Sequence, residues 1–523
     1  MKKNILFLNI NEKILILFLI LFSLLVNQYY GNRGVFPVDS FAHFDTGFRV
    51  LNGEYPFKDY WIVSGPLLDY IQAFFFYIFG INWQSYVFHA SVFNAILTVS
   101  TFLILTKFNF KIYYCFFYSI LFSILAYPSS GTPFVDHHSA FFSLLGIYTL
   151  IAAIKTEKGF FWILLPIFLG LAFLSKQVPA SYVIISIFIF LIYFLALEKR
   201  YYWLKYFVLS SLSFIFFLLI FGKIQGISFL SFLEQYILYP QTIGDQRYGE
   251  FKITFRGVVE HFKFIYVSLI PLLYINIKNI LLKKTYYKEK DFFYFIILIF
   301  FTFSLILHQV LTKNQTFIFF LIPILTAFSH FYLKRIKVNN IIIFLIISIC
   351  LFATFKYHLR FNENRKFHEL NYVNFDLSSN GKIIDDRFVG LKWITPDYKN
   401  SSEKEIKFIN DIKVHLDKDI RNKMLITNYS FYSTILNEKL FSPSRWYLSD
   451  GTDYPLKGNK YFTNYKKFLI DIIKKNNISV IYIIHPQEKS IIFNYIDEIC
   501  FTEVVISKKL QSYELKKCNE ING

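Results

Sequence analysis

The chain has 523 residues, 55% hydrophobic and 21% aromatic, with 66 Phe, 38 Tyr and a mean hydropathy of +0.41. Apolar runs of about 17 to 25 residues recur through the first two thirds, matching a bilayer's thickness and excluding an ordinary soluble protein. The net charge of +19 does not point to nucleic acid, because Lys and Arg sit mainly in short links between apolar runs and no basic domain stands apart.

Met1, Lys2 and Lys3 followed by the apolar run 14–26 resemble a signal peptide. No small-residue cleavage site follows, so the run reads as an uncleaved first span with a cytoplasmic amino terminus. The first outer loop, 30–84, then concentrates Asp39, Asp45, Asp59 and Asp69 beside Arg49 and Lys58. Asp39 and Ser40 can cap a short helix whose stripe is Phe41, Phe44, Phe48 and Leu51, with Asn52 and Gly53 ending it. Asp45 and Arg49, four apart, can pair on its polar side. A second helix is expected over 66–80, Pro66 suiting its first turn. Both would lie at the membrane surface, with Asp39 at the edge of the first.

Further spans are expected over 86–106, 112–127, 139–154, 160–174, 180–197, 207–221, 264–282, 292–307, 317–332 and 341–355. With the first, they make about eleven. Every link then predicted inside is basic: Lys107 and Lys111; Lys155 and Lys158; Lys199, Arg200 and Lys205; Lys283, Lys284, Lys288 and Lys290; Lys334, Arg335 and Lys337. That agreement requires 66–80 to be a surface helix. Cys115 and Cys350 fall within spans, where small apolar residues need no further role.

The fold expected is therefore an α-helical polytopic membrane protein (1–355) followed by a soluble α/β domain outside the membrane (356–523). In that tail Ser402 and Glu405 have capping-box spacing, ahead of apolar Ile406, Ile409, Ile412 and Val414. Segments 424–427 and 478–484 read as buried strands, with an amphipathic helix over 465–475 between them. No glycine-rich phosphate loop is present in the tail. Cys500 and Cys518 flank two strands turning near Lys509 and can bridge in an oxidising compartment.

Residues that membranes tolerate poorly cluster on the predicted outer side: Asp39 and Asp59; Asp136, His137 and His138; Lys176 and Gln177; Arg247, Lys252 and Arg256; His308 and Lys313. Carboxylates facing cations at one level suit a reaction on an anionic lipid, a cation holding the phosphate while a carboxylate takes a proton. Each residue also has a plainer reading. Asp39 can cap a helix, Asp59 can sit in a solvated turn, Lys176 can snorkel to the interface, and the basic residues after Asp245 can face headgroups.

Asp39 followed by a helix, then LNGEYPFKDYW and SGPLLDYIQAFFFYIFG, resembles the first outer loop of GT-C class membrane glycosyltransferases. These include the protein O-mannosyltransferases and the lipid A aminoarabinose transferase, which use polyprenyl-phosphate sugars. The resemblance extends to Asp136, LAFLSKQVP, KNQTFIFFLIPIL and a tail in which a strand precedes NYSFYSTILNEKLFSPSRWY.

It implies a GT-C-like fold in which Asp39 is the base that deprotonates an acceptor hydroxyl. Asp136 is then the second-loop acid that positions acceptor or metal. Lys176 is the candidate for the donor phosphate, and Asp59, Gln177, Arg247, Arg256 and Lys313 are further substrate-binding candidates. Many members carry Asp-Glu in the first loop, whereas Ser40 follows Asp39 here. A divalent cation, Mg or Mn, would draw on Asp39, Asp136 and His137, and members differ in needing one.

The implied partners are a polyprenyl-phosphate sugar, a glycan, lipid or protein acceptor, and membrane lipid, with no nucleic acid. A lipid-linked oligosaccharide polymerase or ligase would put its key outer loop between late spans, and a transporter or flippase would show midplane charges and internal repeats.

Overall fold

In the computed structural model the described residues are 10–126, 130–198, 201–249, 252–312, 318–507, 509–516 and 518, without the side chains of Arg247 and Tyr248. The helices up to Gly249 are α1 (Ile10–Gly31), α2 (Pro37–Ser40), α3 (Ala42–Leu51), α4 (Pro66–Phe79), α5 (Trp83–Thr106), α6 (Ile112–Ala126), α7 (Val135–Thr156), α8 (Gly159–Ser175), α9 (Gln177–Glu198), α10 (Tyr202–Gln225), α11 (Phe229–Leu233) and α12 (Tyr239–Gly249). After them come α13 (Lys263–Leu282), α14 (Lys290–Thr312), α15 (Leu321–Arg335), α16 (Asn340–His358), α17 (Ser402–Lys418), α18 (Tyr432–Leu436) and α19 (Phe462–Lys475). The strands are β1 (Ser379–Asn380), β2 (Lys392–Trp393), β3 (Lys423–Ile426), β4 (Val480–Ile484), β5 (Phe501–Ser507) and β6 (Leu510–Leu515).

A helix covers each of the eleven segments expected to cross a membrane, but among the described residues eight are long and apolar enough to do so. The other three, α6, α8 and α15, have 15, 17 and 15 residues. At 1.5 Å per residue each is shorter, over its described residues, than the roughly 30 Å of hydrocarbon, so eight of the eleven expected spans are supported. The chain is a polytopic helical membrane protein with a small sheet near its carboxyl end.

The chain folds into two compact units: residues 1–32, 87–216 and 251–372 form the first, and 33–86, 217–250 and 373–523 the second. Residues 33–86, which follow α1, thus belong to the unit that contains the carboxyl-terminal sheet.

In the first unit α7 is buried along nearly its whole length and packs against α8, α9 and α14. Beyond its polar first turn, the helix is apolar on most of its surface, as a central helix requires. Gly31 and Gly131 sit back to back: a Cβ on Gly131 would lie 2.6 Å from Gly31 Cα. Gly131 also has φ +69°, so a side chain there would meet both a clash and backbone strain.

In the second unit α3 packs on α4, with Gly47 against Gln72. The four-stranded sheet runs β3-β4-β6-β5, with β3 parallel to β4 and the remaining pairs antiparallel. All five residues of β4, Val-Ile-Tyr-Ile-Ile, are buried, matching the continuous apolar run of a strand covered on both faces. Met424, Ile426, Ile481 and Ile483 share their core with Leu469 and Ile472 of α19, and with Trp61 and Tyr239 from much earlier in the chain. A disulfide joins Cys500 to Cys518 across the β5–β6 hairpin.

Four local expectations change. The Ser402 to Glu405 capping box does not form. Helix α17 opens after Ser401 with no side-chain cap, and Glu405 turns into the core to accept from Trp393 Nε1, Thr395 Oγ1 and Tyr429 OH. Val414 is exposed and Leu416 completes the buried stripe of that helix. Arg49 pairs with Glu54 at 2.8 Å rather than with Asp45, because Glu54 N bonds Arg49 O and folds the chain back. The helix after Asp39 opens at Phe41 without a side-chain cap, and Ser40 Oγ instead accepts from Phe36 N.

Candidate functional site

In the second unit, Asp39 lies half-buried in the one-turn helix α2, started by Pro37. The same unit holds a charged network centred on Asp69, in the first turn of α4. Asp69 Oδ1 accepts from His43 Nδ1 (2.9 Å) and Thr46 Oγ1 (2.5 Å), and Oδ2 accepts from Tyr60 OH (2.8 Å) and Arg445 Nη2 (2.6 Å).

Burial opposes the charge on Asp69, but Arg445 and the His43 and Thr46 donors outweigh it and lower its pKa. Burial, together with the Arg445 charge, lowers His43 to about 4, so at neutral pH it is the uncharged ring. With ionised Asp69 facing Nδ1, the proton sits on Nδ1.

Arg445 Nη1 also donates to Ser64 O at 2.8 Å, and its guanidinium lies 5.0 Å from the Trp446 ring centroid. Trp446 Nε1 donates to Val38 O at 2.7 Å, one residue before Asp39. Asp453 is buried, and that burial, with the Asp450 and Asp39 charges, lifts its pKa to about 7. Asp45, buried on α3, accepts from Ser433 Oγ, and burial likewise lifts it to about 7 against the pull of Arg49.

The first unit holds Asp136, Lys176 and His308. Asp136, in the first turn of α7, accepts from Lys176 Nζ at 2.7 Å through Oδ2 and from His308 Nε2 at 2.8 Å through Oδ1. Asp136 and His308 are buried, whereas Lys176 keeps 21% of its side chain exposed. Lys176 adopts extended backbone after the last turn of α8, and its carbonyl accepts from Ser139 Oγ at 3.1 Å. An isolated charge in such surroundings would be costly, and pairing through direct hydrogen bonds makes the cluster tolerable.

A cavity of about 500 Å³ lies in this unit, lined by Tyr182 and Ser186 of α9, Tyr266 of α13, and Ser304, Leu307 and Val310 of α14. Leu307 flanks His308 in sequence, and α9 begins beside Lys176.

Of the sequence-predicted site residues, Asp136 and Lys176 are brought together. Gln177 opens α9, half-buried, and Arg256 is exposed at the start of a π-helical turn. Asp59 is tied into its own unit, accepting from Lys475 Nζ (2.7 Å) and Tyr55 N (2.9 Å). The Arg247 side chain and Lys313 lie outside the described residues. His137 is buried among the rings of Phe134 and Phe141.

No three His, Cys, Asp or Glu groups that could hold an ion come together among the described residues, and both oxygens of Asp136 already accept hydrogen bonds.

His43, Asp69, Arg445 and Trp446 were not among the predicted site residues. Asp69 stood among the loop acids, and Arg445 and Trp446 stand in the SPSRWY stretch. Comparison of the chain with protein-family models and with curated proteins finds no match.

Proposed function

We propose that the chain is a GT-C type membrane glycosyltransferase that moves one sugar from a polyprenyl phosphate to an acceptor hydroxyl, with inversion at the anomeric carbon. The observation that carries this reading is Lys176, a partly exposed ammonium held by Asp136 at the start of a helix that lines an apolar cavity of about 500 Å³. A lipid phosphate needs a cation for its head and apolar space for its chain, and one helical unit offers both.

In the proposed reaction Asp39 takes the acceptor proton as the acceptor oxygen bonds to the anomeric carbon. The bond from that carbon to the phosphate oxygen breaks, and its electron pair leaves on the lipid phosphate. Lys176 stabilises that leaving group, and Asp136 orients Lys176. The acceptor is a glycan, lipid or protein. The setting proposed is a bacterial inner membrane with the tail outside, supported by the basic links and by a disulfide suited to an oxidising compartment.

The test is transfer of radiolabelled sugar from synthetic polyprenyl-phosphate sugars by the full chain in nanodiscs. Turnover of one donor, lost in Asp39→Asn while lipid binding persists, supports the reading. Equal turnover in both proteins removes Asp39 from the role. No turnover with any donor, with lipid translocation in its place, favours a flippase.

A further inference from the structure

A four-residue helix such as α2 cannot hold itself in place, since one hydrogen-bonded turn scarcely offsets the entropy of fixing it. Yet a base must be held to within about half an ångström of its working position, and a misplacement of about 1 Å can cost roughly a hundredfold in rate. What fixes α2 comes from the tail. Trp446 Nε1 donates to Val38 O, and Ser430 Oγ donates to Phe41 O at 3.2 Å, so carbonyls on both sides of Asp39 are tied to residues about 400 positions later.

Trp446 is itself fixed. The His43 ring meets its indole edge-on at 6.4 Å, and Arg445, on the other side of the same backbone link, is anchored by Asp69 and Ser64 O. A continuous set of contacts therefore runs from Asp69 through Arg445 and Trp446 to the turn bearing Asp39.

We infer that Trp446 is a positioning residue for Asp39, acting with Arg445. The tail is then part of the catalytic unit rather than a cover or a separate acceptor-selecting domain. This rests on the reading of Asp39 as the base.

Trp446→Phe keeps the ring and deletes the N–H donor. Expected in the transfer assay is a kcat lowered roughly tenfold or more with donor KM within about twofold, the signature of a group acting through the reacting centre. In an Asp39→Glu background, where the carboxylate is already displaced, the same change should cost less than about twofold, because residues acting through one contact are not additive. Arg445→Lys should follow the same pattern. Additive losses, or an unchanged kcat in the single variants, overturn the inference.

A second measurement needs no activity. Hydrogen–deuterium exchange of the full chain should show residues 36–41 exchanging faster in Trp446→Phe, while β3 and β4 keep wild-type rates. Unchanged exchange at 36–41 overturns the inference whatever the turnover, whereas faster exchange in a protein inactive on every donor counts against the transferase reading alone.

Discussion

Arg445 Nη2 donates to Asp69 Oδ2 at 2.6 Å, an ion pair between residues 376 positions apart, with both side chains at 2% exposure or less. Removing one member leaves the other as an uncompensated buried charge, which costs about 3 to 5 kcal/mol. Arg445→Met should therefore lower the unfolding temperature of the second unit strongly, and Asp69→Asn combined with Arg445→Met should cost less than the sum of the single changes. Differential scanning fluorimetry with intrinsic Trp emission checks both.

Asp45 and its neutral analogue should part with pH. The folded-state pKa of Asp45 is raised to about 7 from an ordinary value near 3.8, so the folded chain binds the extra proton between those pH values. The stability this proton contributes is present below about pH 4 and lost as pH rises through 7. Asp45→Asn, which still accepts from Ser433 Oγ, should gain on wild type across that window and hold a constant advantage above it. Unfolding of the two proteins compared from pH 4 to pH 8.5 gives the difference, which removes the opposing contribution of His43.

Filling the cavity in the first unit should separate chain binding from head binding. Ser186 and Ser304 Oγ atoms lie 3.0 Å apart on facing helices, so Ser304→Phe adds a ring where the cavity lies. Native mass spectrometry should show loss of long polyprenyl phosphate with retention of a phosphate bearing a two-isoprene chain. Lys176→Gln should weaken both.

The Cys500–Cys518 disulfide closes a loop with a sequence separation of 18, for which chain entropy gives about 3 kcal/mol. Cys500→Ser with Cys518→Ser should lower the unfolding free energy by a comparable amount, read from denaturant titration. A gel shift of the alkylated wild-type protein with and without reductant checks that the bond is present.

The parts of this molecule readable from the sequence are those whose physics is local. The buried run at 480–484 announces a covered strand, the Ile406, Ile409 and Ile412 spacing announces the inner face of α17, and apolar length announces the long helices. Asp136 and Lys176 stood out because charges at span ends are costly, and their hydrogen bond follows from that cost.

What could not be read depends on distant partners. Nothing near Asp69 says that its cation is Arg445, and nothing near Glu405 says that Trp393 and Tyr429 will draw it inward, so it resembled an exposed capping residue. Asp45 and Arg49 have the right spacing for each other, but Glu54 and Ser433 offer closer partners once the chain folds back.

Trp61 and Tyr239 occupy a core whose strands lie in the last hundred or so residues of the chain. On the ribosome the segment carrying Trp61 therefore emerges long before the tail residues it packs against. At about 5 to 20 residues per second, the 376 positions from Asp69 to Arg445 take roughly 20 to 75 seconds to synthesise. Throughout that interval Trp61 lacks the tail residues that cover it, Tyr465 and Phe468. A premature stop before Arg445 would leave Asp69 without its guanidinium and Trp61 without Tyr465 and Phe468.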